Sequence, residues 1–296
     1  MTNIPASLGR KAVNLARMVK IEHSVFALPF AYIGAFLAAE GWPGLVPFLL
    51  LTVAMVAVRS FAIAFNRLVD LPFDRINPRT ANRPLVTGQI TRGETIVFLV
   101  LTAGIFVACC WGMNRLCLIL SGPALIWSAF YSVTKRFTWL CHFVLGSVLG
   151  LAPLAGWFCV YPKLAMTPLL FFFGVTFWVA GFDLLYACQD EDFDRREGLH
   201  SLPARMGVPV ALGMSLFCHV NAVVFFGLGI WSGGLSWIAF SVWAVTSFLL
   251  MWQHRLISPQ DMSRVNMAFF TVNGVVSVVL FAGVLADLLI LGPGIL

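Results

Sequence analysis

Two short acidic stretches, each closing a long apolar run, hold the residues best suited to chemistry. The first reads Asn66-Arg67-Leu68-Val69-Asp70-Leu71-Pro72-Phe73-Asp74, and the second Tyr186-Ala187-Cys188-Gln189-Asp190-Glu191-Asp192-Phe193-Asp194. Each sets a polar anchor and then two carboxylates at steps of four, in a chain with only 13 acidic residues. Asp70 corresponds to Asp190 and Asp74 to Asp194, a constant offset of 120 positions. Four residues advance a helix by about 400°, so Asn66, Asp70 and Asp74 share one stripe, as do Tyr186, Asp190 and Asp194. Pro72 lacks an amide hydrogen and crowds the preceding turn, so a kink or an end is expected between Asp70 and Asp74; the second copy carries no such break. Magnesium (Mg2+) takes oxygen ligands and is usually held by one or two carboxylates together with substrate phosphates. Two facing carboxylate stripes therefore suit Mg2+ ions bridged by one diphosphate, with Arg and Lys neutralising the remaining phosphate charge. The competing reading makes these acids solvated caps and partners of nearby arginines. Two copies with the same spacing on the same side weigh against it.

The elements that position these stripes are set by composition. At 60% hydrophobic, 11% charged and a mean hydropathy of +0.90, the chain is not a soluble domain, which carries roughly 25% charged residues. Nine apolar runs are read as membrane-spanning helices, over 24–39, 44–65, 95–112, 115–133, 140–160, 168–187, 210–230, 235–252 and 266–291. The runs do not alternate polar with apolar residues, which excludes a β-barrel. The fold expected is all-α, a single transmembrane domain over 1–296 built from two four-helix repeats plus a ninth helix. Four spans separate the motifs, so both face the same side of the bilayer. Residues 1–22 are expected to form an interfacial amphipathic segment, because Leu8, Ala12, Leu15 and Val19 recur at helical spacing between basic residues.

Charge orients the bundle. Of the 19 Lys and Arg residues, only Arg115 and Lys163 fall on the side away from the motifs, and Arg59 lies within a span. The positive-inside bias puts the N-terminus and both motifs in the cytoplasm and the C-terminus outside, in the plasma (inner) membrane. The net charge of +6 is thus a topology signal; no soluble basic face exists for nucleic acid. The seven cysteines include no C-x-x-C and read as packing residues. Two ionisable residues sit deeper. Arg59 lies seven residues before Asn66 and Asp183 seven before Asp190, each on the face of its own motif. Arg59 is expected either to hold an acceptor carboxylate or to pair with Asp183. His23 reads as a packed interfacial histidine.

With these residues in hand, the chain resembles the UbiA superfamily of intramembrane prenyltransferases over nearly its full length. Asn66-x-x-x-Asp70-x-x-x-Asp74 is similar to the family's first Asp-rich motif. Thr80-Ala81-Asn82-Arg83-Pro84-Leu85, the Tyr131 to Thr138 loop with Lys135-Arg136, and Tyr186-x-x-x-Asp190-x-x-x-Asp194 match further family segments in order. The resemblance implies nine transmembrane helices, Mg2+, an allylic polyprenyl diphosphate donor, and an acceptor prenylated from the cytoplasmic side. Two departures stand out. The family's first motif commonly begins Asn-Asp where this chain has Asn66-Arg67, and a common Lys-Ser pair appears as His200-Ser201. The segment from Tyr186 to Gly207 looks most like the branch serving menaquinone synthesis through futalosine, whose acceptor is a dihydroxynaphthoate.

The chemistry implied is ionisation of the allylic diphosphate, attack by an electron-rich aromatic ring, and loss of a ring proton in a dry cavity. Metal binding is assigned to Asn66, Asp70, Asp74, Asp190 and Asp194, and diphosphate contacts to Lys20, Arg67, Arg83, Lys135, Arg136 and Arg205. Asp70 and Asp190 are the expected catalytic carboxylates. Tyr131 and Tyr186, as the resemblance implies, hydrogen-bond phosphate or steady the cation. The acceptor is expected to be an aromatic acid, 4-hydroxybenzoate or a dihydroxynaphthoate, in ubiquinone or menaquinone biosynthesis. The alternative class is a transporter or channel for an anionic lipid or ion, which usually breaks its helices at mid-bilayer. Here the acids gather at one membrane face.

Overall fold

A bilayer core has no water to pair with free amides, so an apolar run of sufficient length closes its hydrogen bonds internally as a helix. The computed structural model, which describes residues 8–19, 27–265 and 267–292, is all-helical among those residues. The helices are α1 (Leu8–Val19), α2 (Leu28–Ala38), α3 (Leu45–Val69), α4 (Leu71–Ile76), α5 (Arg92–Met113), α6 (Arg115–Thr134) and α7 (Cys141–Val160). They continue with α8 (Met166–Ala187), α9 (Glu191–Arg196), α10 (Leu202–Met206), α11 (Val208–Ser232), α12 (Trp237–Trp252) and α13 (Asn273–Ile290). Among the described residues, seven helices are long and apolar enough to cross a membrane: α3, α5, α6, α7, α8 continued through α9, α11, and α13 with the turn before it. Two expected spans are shorter. The run over 24–39 is described as helix only from Leu28 to Ala38, and the run over 235–252 yields the 16 residues of α12, bounded by the Gly233-Gly234 turn.

The core is built on α7 and α8. Helix α7 packs against both α2 and α8, α11 packs on the far side of α8, and α13 returns to touch α2 and α12. Trp178, Phe171 and Val175 of α8 are fully buried among Phe30 and Ile33 of α2, Phe226 of α11 and Val276 of α13. Phe30 stacks on Phe226 with centroids 5.5 Å apart. The α2–α7 crossing depends on missing side chains: a Cβ on Gly34 would overlap the Pro153 carbonyl, and one on Gly156 the Ala31 carbonyl. Small residues at such crossings let backbones approach where lipid supplies no hydrophobic drive. On the other flank, α3 packs on α5 and α6.

Two polar devices hold ends of this bundle. Thr91 and Glu94 form a reciprocal capping box at the start of α5, and Glu94 also pairs with Lys11 of α1 at 2.5 Å. Met18 and Val19 of α1 are buried with Ala64 of α3, so part of the apolar side of this helix meets protein. At the other device, buried Asp287 of α13 accepts the backbone N–H groups of Ser236 and Ala239 at 2.9 and 3.0 Å, capping α12 in trans. All seven cysteines are buried.

Candidate active site at one end of the bundle

The two motifs follow the C-terminal ends of α3 and α8 and line one cavity of about 360 Å³. As Pro72 requires, α3 ends at Val69 and α4 begins at Leu71; the Asp70 N–H still bonds Asn66 O, and the Asp74 N–H bonds Asp70 O, each at 2.8 Å. The stripe therefore survives the break. The second copy does not run unbroken as expected. It tightens to a 3₁₀ turn over Cys188–Asp190 before α9 resumes, so each copy is reset at its first carboxylate.

Each motif carboxylate faces a cation. Arg83 Nη1 lies 2.5 Å from Asp74 Oδ1, and Arg79 engages Asp190 through both Nε and Nη2, at 3.0 and 2.5 Å. Lys135 Nζ is 2.8 Å from Asp194 Oδ2, which also accepts from Ser201 Oγ at 2.6 Å. Arg136 stands 3.6 Å from Asp70, whose other oxygen accepts from Asn66 Nδ2 at 2.7 Å. Burial, then the neighbouring Asp74, raises the Asp70 carboxyl above its ordinary value. Burial works against the Lys135 charge, but Asp194 outweighs it and leaves the ammonium raised.

Every assigned site residue lines this cavity except two. Lys20 lies outside the described residues, as does His23. Arg205 sits exposed on α10 and is not in the cavity wall. Arg59 does not pair with Asp183. Its Nε is buried without a hydrogen-bond partner, while Asp183 Oδ2 meets His142 Nδ1 at 2.7 Å. Sequence reasoning missed Arg79, which bridges Asp190 to the Tyr186 hydroxyl (Nη1 to Oη 3.0 Å) and lies 5.2 Å over that ring. It also missed Asn77, whose side chain donates to Asp190 at 3.4 Å and accepts the Arg79 N–H at 2.9 Å. The signal available for both was position: they follow Asp74 in the polar segment between spans.

Beneath the polar cavity lies an apolar chamber of about 210 Å³ walled by α3, α6, α7 and α8; Arg59, Tyr131, Leu145, Asp183 and Phe269 belong to both. A second apolar chamber of about 200 Å³ shares Met55, Phe106, Ala124, Leu151 and Ala155 with the first. Whether the polar end suits a metal can be read from its donors. Among the described residues no three His, Cys, Asp or Glu side chains converge as a ready cluster. The donors are all oxygens, however, and Asp194 Oδ1 is buried without a hydrogen-bond partner. That set fits a hard cation held by one or two carboxylates plus phosphate, and not an all-protein cage.

Comparison with known proteins agrees with this architecture. The model of the UbiA prenyltransferase family matches residues 27–284. A 4-hydroxybenzoate octaprenyltransferase of Methylobacillus flagellatus is 30% identical over 86% of this chain and 85% of its own length. A protoheme IX farnesyltransferase of Thermus thermophilus is also 30% identical, over 66% of this chain but 33% of its own. Among solved structures, the apo form of a UbiA homolog from Aeropyrum pernix superposes with a TM-score of 0.82 at 35% identity, covering 90% of this chain and 98% of that one. A homolog from Archaeoglobus fulgidus, solved with GPP and Mg2+, shares the fold (TM-score 0.68, 20% identity, 94% and 100% covered). The chain is a multi-pass integral membrane protein and belongs to the UbiA prenyltransferase family.

Proposed function

We propose that this protein transfers a polyprenyl group from an allylic polyprenyl diphosphate to an aromatic acid bearing a phenolic hydroxyl, in quinone biosynthesis. One observation carries the reading: a cavity of four carboxylates and their four cations shares a wall with an apolar chamber that in turn adjoins a second, with a buried, unpartnered guanidinium nitrogen at the first junction. The diphosphate sits at the polar end and the prenyl chain in the chambers. Arg83, Lys135 and Arg136, with Arg79, turn from carboxylate to phosphate oxygens when the donor enters, aided by Arg67. Asn66, Asp70, Asp74, Asp190 and Asp194 would hold Mg2+, which supplies charge neutralisation on the departing diphosphate. Tyr131 and Tyr186 present ring faces and hydroxyls near the ionising carbon. The apolar walls keep water from the cation. Arg59 binds the acceptor carboxylate, since a charge in a low-dielectric cavity needs a fixed counter-charge.

The bundle crosses the inner membrane nine times, α2 and α12 completing the seven long spans, and the site faces the cytoplasm as the Lys and Arg distribution requires. The test is prenylation by purified protein with one polyprenyl diphosphate and four acceptors: 4-hydroxybenzoate, a dihydroxynaphthoate, a glycerol phosphate and a porphyrin, with and without excess chelator. Turnover of either aromatic acid, abolished by chelator and restored by Mg2+, is expected. Turnover confined to the glycerol phosphate or the porphyrin overturns the acceptor, and full activity in chelator overturns the metal-diphosphate site.

A further inference from the structure

Asp183 is a carboxylate inside the bundle that the scheme above leaves unused. Ionisable groups at such depth are costly and mark cavities or proton paths. It lies on α8 about one turn before the helix ends at Ala187 and lines both the polar cavity and the first apolar chamber. A guanidinium shares that junction, yet the two are not paired, although pairing is the cheapest use of opposite charges in a low dielectric. Asp183 is instead held by His142, which is buried at 2% exposure. The histidine's state follows from its partners. The Leu202 N–H donates to His142 Nε2 at 3.3 Å, and a ring nitrogen that accepts carries no proton. The imidazole proton therefore sits on Nδ1, which donates to Asp183 Oδ2 at 2.7 Å. About a quarter of the Asp183 side chain is accessible, and among the described residues Oδ1 makes no hydrogen bond.

We propose that Asp183 is the base that takes the phenolic proton of the acceptor, with His142 as the residue that orients it. This rests on the aromatic-acid reading of the function: the acceptor carboxylate sits on Arg59 and its hydroxyl on Asp183, two side chains that line the same junction. As a ring carbon next to the hydroxyl bonds C1 of the prenyl group, the C1–O bond breaks and its electron pair leaves with the diphosphate. The O–H bond gives its electrons to the ring and its proton to Asp183 Oδ1, producing a neutral dienone. The ring proton at the new bond then passes to the departed diphosphate, Asp183 returns its proton to the oxygen, and aromaticity is restored. Ser201 and Leu202 tie the two ends of this reaction together, because Ser201 holds Asp194 while the next amide holds His142.

The test uses purified wild type, Asp183→Asn, His142→Asn and His142→Leu with one polyprenyl diphosphate. Each is assayed on the phenolic acid that the wild type prefers and on a fluorinated analogue whose phenol is more acidic and whose reacting carbon is free. Asp183→Asn should lower kcat about 100-fold on the parent acceptor, with the donor KM unchanged. On the fluorinated acceptor, which needs less help to ionise, the loss should shrink to about tenfold or less. His142→Asn keeps a donor at the Nδ1 position and should retain most activity, whereas His142→Leu should approach Asp183→Asn. An Asp183→Asn enzyme as active as wild type, or a loss that ignores phenol acidity, overturns the base assignment alone. A wild type that prenylates no phenolic acid overturns the functional reading and this proposal with it. His142→Asn keeps the test decisive if His142→Leu does not fold.

Discussion

The two carboxylate motifs repeat in sequence but not in setting. Asp70 is the most open of the four, its side chain 29% exposed, with its cation 3.6 Å away and Pro72 beside it. Asp194 is its opposite, 1% exposed and gripped by both Lys135 and Ser201. The connections also cross. Arg79 reaches from the segment after the first motif to Asp190 in the second, while Lys135 and Arg136, adjacent in one loop, serve Asp194 and Asp70 respectively. The two stripes are similar in sequence, and the loops between them make one closely held, buried wall and one more open wall of a single cavity.

The broadest test of that pairing is all-or-none. Single cysteines at Thr87 and Glu197, exposed positions after the first and second motif, are introduced with the seven buried cysteines replaced. Both should react with impermeant thiol reagents from the cytoplasmic side only; labelling from opposite sides would separate the copies. Next in size, Asp70→Ala and Asp190→Ala should each lower turnover on the order of 10²–10³-fold, since each removes charge from the diphosphate end, with membrane insertion intact. A variant of either copy with near-wild-type turnover would leave the other copy as the whole site. The contrast in burial predicts a smaller, asymmetric effect on thermal stability. Lys135→Met strands the buried Asp194 and should cost about 2 kcal/mol, below the roughly 3–5 of a fully buried broken pair because the lysine is a third exposed. Arg136→Met, at the open pair, should cost about 1 kcal/mol or less.

The smallest effect concerns protons. Because Asp70 is raised in the fold, the folded protein binds more protons than the unfolded chain above the ordinary carboxylate value of 3.8. Its contribution to stability is thus greatest at low pH and is lost as pH rises through the raised value. Metal needs the ionised carboxylate. Thermal stabilisation by added Mg2+ should therefore grow as pH climbs through that window, and Asp70→Asn should flatten the dependence. Asp74→Asn, by removing the neighbouring charge, should move the window to lower pH. A Mg2+ effect independent of pH in the wild type would remove Asp70 from the metal site.

Much of this site is visible in the chain itself because its signals are periodic. Steps of four on apolar runs fix which carboxylates share a stripe, and the Lys and Arg distribution puts the stripes on one side. What the sequence conceals is long-range. Arg79 lies in a segment already rich in Arg, where nothing marks it from Arg75; only the path of the chain brings it onto Asp190. The 3₁₀ turn at Cys188–Asp190 has no proline or glycine to announce it. Arg205 has a suitable charge and a nearby position, yet the short helix α10 turns it away from the cavity. His142 follows Trp139-Leu140-Cys141 as one more residue at the start of a span, and its role depends on two partners 41 and 60 residues away.

The cap that Asp287 places on α12 bears on how the chain is made. Translation delivers α12 before the carboxylate that satisfies its first amides exists. A 16-residue helix, too short to span comfortably alone, must wait for about fifty further residues before its end is closed. Helix α13 is thus a late-arriving keystone for the helix before it, and a chain ending ahead of Asp287 would leave the ribosome with the first amides of α12 uncapped.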